Sequence, residues 1–111
     1  MNIKNLTDCV ELAREKEPFN FTHVFATSRN TGECLSKPPT YTVYSYGLHY
    51  PMYVYDYEAC QWYGNKDKST QTTMRHMKLF EPYSVAHWVD TETLSNIAIY
   101  GIVETSANRM E

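Results

Sequence analysis

With 111 residues, a formal net charge of −3 and 42% hydrophobic residues, the chain has room for one hydrophobic core and not for two. The charge is too small for a carboxylate-rich DNA mimic and lacks the basic footprint of a dedicated duplex binder. Cys9, Cys34 and Cys60 are widely spaced and form no CxxC, which argues against a zinc knuckle or a thioredoxin-type site and suits a reducing compartment.

The N-terminal run MNIKNLTDCVELAREKE has no signal-peptide core, and no segment reaches the length of a bilayer span. A cytoplasmic protein with no membrane partner is therefore expected. Residues 8–17 form the first predicted helix, with Asp8 and Glu11 in a capping-box pattern and Pro18 as the stop. Its apolar stripe is narrow, so it should pack at a sheet edge. FTHVFATS (21–28) alternates as a strand, and RNTGECLSKPP (29–39) carries the Gly and Pro residues of a surface loop.

Eight of the ten tyrosines then fall between Tyr41 and Tyr63. TYTVYSYG (40–47) carries bulk on both faces, as a central strand does, or one whose second face meets a partner. GLHYP turns the chain into PMYVYDY (51–57), with Pro51 at the first strand position, where a missing N–H is tolerated. Met52 and Val54 are expected to face the core. Tyr53, Tyr55 and Tyr57 form the opposite row, a candidate contact surface. ACQWYGN (59–65) closes the meander in a Gly64-Asn65 turn.

From Ser69 the period changes. STQTTMRHMKLF predicts a helix over 70–80 capped by Ser69 or Thr70 and stopped by Pro82. YSVAHWV (83–89) reads as an extended link with Trp88 as a core anchor. Asp90 caps a last helix over 91–101, ended by Gly101. Together these elements define one α+β domain over 1–111, with frayed ends at 1–7 and 104–111. Its core is a small antiparallel sheet of three to four strands, with about three helices packed mainly on one face.

SYGLHYPMYVYD, Trp62-x-x-Asn65 and DKSTQTTMRH resemble a domain of unknown function carried by tailed phages and mobile elements. The resemblance covers roughly residues 40–77. In that pattern a tyrosine-glycine strand end is followed by Trp and Asn, then by Ser-x-Thr-Thr-x-x-His. Thr72, Thr73 and His76 align with its end, while Ser69 is offset by one residue. The resemblance implies a small accessory phage protein with no known activity.

Three functional classes follow. The leading one is a non-enzymatic phage-type accessory protein that binds and modulates a host macromolecule. An inhibitor of a host defence system such as CRISPR–Cas is its most concrete form. The second is a single-stranded nucleic-acid binder. It would stack bases on Tyr53, Tyr55 and Tyr57 and track phosphates with Lys66, Lys68 and Arg75. The third is a small anion-binding or catalytic site, in which Thr72, Thr73 and His76 lie within one helical turn beside Arg75. The plainer reading of these three residues is a capped helix with a polar support. No P-loop, GxGxxG, nucleophile elbow or HxH spacing occurs, so neither a cofactor nor a metal is expected, and catalysis is not.

Overall fold

The computed structural model describes residues 5–29 and 40–100. Most of the 29–39 loop, residues 1–4, Gly101 and the 104–111 end lie outside the described residues. The order is α1 (Leu6–Arg14), β1 (Phe19–Asn20), β2 (Val24–Arg29), β3 (Thr40–Ser45), β4 (Pro51–Asp56), β5 (Gln61–Asn65), α2 (Gln71–Phe80), β6 (Val85–Val89) and α3 (Thr91–Tyr100). The six strands form one sheet in sequence order. Every neighbouring pair is antiparallel except β5–β6, which α2 joins as a parallel crossover.

This corrects the expected antiparallel sheet of three to four strands: the sheet is mixed and has six. Two strands escaped the sequence pattern. Phe19–Asn20 is too short to alternate, and residues 85–89, expected as a link, are the edge strand β6. The helices also divide between the faces. Val10 and Ala13 of α1 and Met77 and Phe80 of α2 pack with Tyr41, Val43 and Tyr53. On the other face α3 packs Leu94, Ile97 and Ala98 against Val54 and Tyr63. Every residue of β3 is consequently buried, which is why its sequence carries bulk on both faces.

Local chemistry explains the boundaries. Asn5, rather than Asp8, caps α1: its side chain accepts from the Asp8 amide at 3.1 Å. The helix ends at Arg14, before Pro18, because Lys16 turns left-handed at φ 59°. The Lys16 and Glu17 amides then donate back to Ala13 and Leu12 carbonyls, the bonding of a Schellman motif. Thr70 caps α2, and Asp90 caps α3 through the Thr93 amide at 2.8 Å.

Gly64-Asn65 is not a turn. Gly64 lies inside β5, opposite Tyr53 on one side and Trp88 on the other. A Cβ there would stand 2.6 Å from Trp88 Cζ3, so the indole rests directly on the strand backbone. Asn65 follows as a buried clamp. Its Nδ2 donates to the Pro51 carbonyl at 2.8 Å and to Thr91 Oγ1 at 3.0 Å. Its Oδ1 accepts from the Asp67 amide at 2.8 Å. Among the described residues no helix is long and apolar enough to cross a membrane.

Candidate functional site

The tyrosine row is not one surface. Tyr53 is 1% exposed, and its hydroxyl donates to the Met77 carbonyl of α2 at 2.7 Å. Tyr55 is half-buried, with Lys16 Nζ 4.4 Å from its ring centroid, and only Tyr57 stands in the open. The row therefore faces α1 and α2 as architecture, and a strand of bases has no continuous platform on it. Other tyrosines work as Tyr53 does. Tyr41 donates to the Glu17 carbonyl and Tyr50 to the Asp67 carbonyl, each at 2.7 Å. Burial pushes the phenols of Tyr41, Tyr50 and Tyr53 up, so they remain donors. A buried ring whose hydroxyl finds a carbonyl gives both apolar area and direction.

Nor do the cations converge. Hydrogen bonds from Thr91 hold the Asp67 carboxyl below the usual range and those from Thr93 the Asp90 carboxyl, with Lys66 a smaller contributor to both. Asp67 Oδ2 accepts from the Thr91 amide at 2.8 Å, so this acidic pair serves the N-terminus of α3. Lys68 is exposed in the loop before α2, and Arg75 is exposed on the outer side of that helix.

The Thr-Thr-His group separates too. Thr72 is exposed, whereas Thr73 and His76 are buried together. They meet Ser45 of β3, a residue that local spacing did not single out. Ser45 Oγ lies 2.9 Å from His76 Nδ1 and 3.2 Å from Thr73 Oγ1. Thr70 Oγ1 lies 3.1 Å from Thr73 Oγ1 and accepts from the Thr73 amide at the same distance. With Nδ1 as acceptor, one consistent chain runs from Thr70 to Thr73 to Ser45 to His76, each hydroxyl donating onward. His76 stacks on Tyr46 at 5.9 Å, and Tyr46 on His23 at 4.7 Å. Burial, with a smaller contribution from His23, lowers the His76 pKa, favouring the neutral imidazole that this chain requires.

A serine at hydrogen-bond distance from an imidazole has the components of a nucleophile and base. Here Ser45 is 0% exposed, and the hydrogen-bond chain fastens α2 to β3. A cleft of about 280 Å³ reaches this chain, lined by Ser45 and Thr73 together with Tyr46, His49, Thr70 and Thr72. Among the described residues, no three His, Cys, Asp or Glu side chains come together as metal ligands.

The solvent-facing features lie elsewhere. β6 is the last strand of the sheet among the described residues. Ala86, His87 and Trp88 are exposed along it, and Trp88, expected as a core anchor, is 45% exposed. His87 stacks on Tyr63 at 5.6 Å, and Trp88 meets Tyr53 edge-on at 6.0 Å. No family model, no curated protein and no solved structure matches this chain.

Proposed function

We propose that this protein acts by binding another protein, as a phage-type accessory protein would, and that the outer edge of β6 receives an extended strand of that partner. The observation that carries the reading is an edge strand, VAHWV, with no charged residue and an exposed tryptophan. Natural edge strands are normally protected by lysines, prolines, extreme shortness or a covering element, because their free N–H and C=O groups pair with any strand that arrives. Strand addition uses those groups for affinity, and alternate side chains for specificity. Trp88, fixed against Gly64 and Tyr53, supplies a rigid aromatic anchor of the kind that dominates interface energies.

The partner class comes from the resemblance of residues 40–77: a host macromolecule met in the host cytoplasm, with a component of a defence system such as CRISPR–Cas as its most concrete form. The test is affinity capture from host lysate with the wild-type chain and with His87→Lys and His87→Glu. A charge of either sign on the edge should abolish recovery of a stoichiometric partner while the melting temperature holds. Equal recovery by all three chains, or no partner with the wild type, overturns the reading.

A further inference from the structure

A cleft of about 380 Å³ opens between the end of α1, the start of β5, the segment that joins α2 to β6, and Ala86 at the start of β6. Its volume falls in the range of about 300–1,000 Å³ typical of small-molecule sites. Two cations, Arg14 and Lys16, reach it from α1 and its C-terminal turn. Each is held against an aromatic face. The Arg14 guanidinium lies 5.5 Å from the Tyr83 ring centroid, and Lys16 Nζ lies 6.0 Å from that of Trp62 as well as over Tyr55. Glu81 is the single carboxylate among the lining residues. The cleft is therefore locally positive in a chain whose net charge is −3.

Two further facts set these residues apart from ordinary surface. Tyr83 is 94% exposed, so burial does not explain its ring at the mouth of the cleft. Lys16 occupies a left-handed position that glycine fills without strain. The backbone there carries an ammonium group into the lining at some conformational expense.

We infer that this cleft binds a nucleotide, its base stacking against Trp62 or Tyr83 and its phosphate held by Arg14 and Lys16. Aromatic faces accept any base, because every base presents a π-face, and cations beside them track the phosphate. Arginine adds a planar fork suited to phosphate oxygens, and lysine a mobile point charge. Glu81 is an acceptor for the exocyclic amine of adenine, guanine or cytosine. The negative chain provides no long-range attraction for duplex DNA. That leaves two sources for the same chemistry, a free nucleotide and the terminal nucleotide of a single strand.

The test is calorimetric titration of the full chain with AMP and dTMP at low salt. Adenosine and inorganic phosphate are run as half-ligands, and octathymidylate as the strand. Both nucleotides should bind saturably, and each half-ligand should bind about tenfold or more weakly than AMP. Lys16→Gln, Arg14→Gln and Tyr83→Ala should each weaken AMP several-fold. All three residues are exposed or half-exposed, so these chains should keep the wild-type melting temperature. Octathymidylate binding well above dTMP would identify a strand end as the source, and equal affinity a free nucleotide. The inference is overturned by any of three results. These are absence of saturable binding by both nucleotides, an unchanged AMP affinity in Lys16→Gln and Tyr83→Ala, and inorganic phosphate binding as tightly as AMP.

Discussion

The two faces of the sheet are assembled by opposite means. Against α3 the contact is mostly aliphatic: Val54, Leu94, Ile97 and Ala98, with Thr40 donating to the Ala98 carbonyl at 2.7 Å as a buried polar clip. Against α1 and α2 the same sheet presents rings and hydroxyls. Tyr41 and Tyr53 meet Trp62 edge-on at 6.2 and 6.4 Å, and each phenol reaches a carbonyl outside the sheet. Aliphatic burial is strong but non-directional, whereas a phenol–carbonyl bond fixes where a helix may sit. The directional face is also the one that holds the cleft with Arg14 and Lys16. Precision and exposure therefore coincide on one side, and plain cohesion lies on the other.

If that division is right, the largest loss of stability should come from the aliphatic side. Leu94 of α3 is fully buried against the sheet, so Leu94→Ala should cost about 2–5 kcal/mol from lost transfer energy and the cavity left behind. Urea unfolding measures this directly, and a cost well below that of substitutions on the other face would reverse the comparison. Gly64→Ala comes next. The new methyl group would overlap Trp88, which must tilt away, at about 1–3 kcal/mol for overpacking. In a Trp88→Ala background the same change should cost little, since the obstruction is gone. Equal costs in the two backgrounds would mean that the indole does not rest on β5.

How much of this could be read from the chain depends on how local each signal is. The starts of the helices at Gln71 and Thr91 were legible within a residue, because their apolar period and their caps at Thr70 and Asp90 lie within a few positions. Strands β2 to β4 announced themselves by alternation and turns, whereas the turn expected at Gly64-Asn65 belongs to β5 itself. β6 did not announce itself: a parallel edge strand has no hairpin partner nearby, and only Val85 and Val89 of its five residues are half-buried. The Tyr53 row misled because a tyrosine bolted to a carbonyl and a tyrosine facing solvent look alike in sequence. Strand alternation puts Ser45 on the same face as Tyr41 and Val43, yet its partner His76 is 31 residues away. A serine on an inward face needs a hydrogen-bond partner, and that was the available clue. The cleft draws Arg14, Lys16, Trp62 and Tyr83 from separate segments, so no spacing rule joins them.

The smallest effect separates the faces by pH. His76 is 6% exposed, and burial, with a smaller contribution from His23, lowers its pKa and favours the neutral imidazole that meets the Ser45 hydroxyl. Its folded pKa lies below the unfolded value of about 6.5, so across that interval the unfolded chain binds more protons. The stabilising contribution is complete above about pH 6.5 and is lost progressively as pH falls towards the lowered folded value. The other imidazole facing this group, His23 across Tyr46, adds repulsion in the same direction once charged. Asp67 and Asp90 have lowered folded pKa values as well. Their contribution is present above the unfolded carboxylate range near pH 4 and fades only below it, leaving the higher window to His76. Urea midpoints should therefore fall between pH 7.5 and about 5.5 in the wild type and stay nearly level in His76→Gln, whose amide can still meet Ser45. The Leu94→Ala chain should retain the wild-type slope, because Leu94 packs in the α3-side cluster, apart from the Ser45–His76 contact. A slope that survives His76→Gln would place the titration elsewhere and remove the Ser45–His76 contact as its origin.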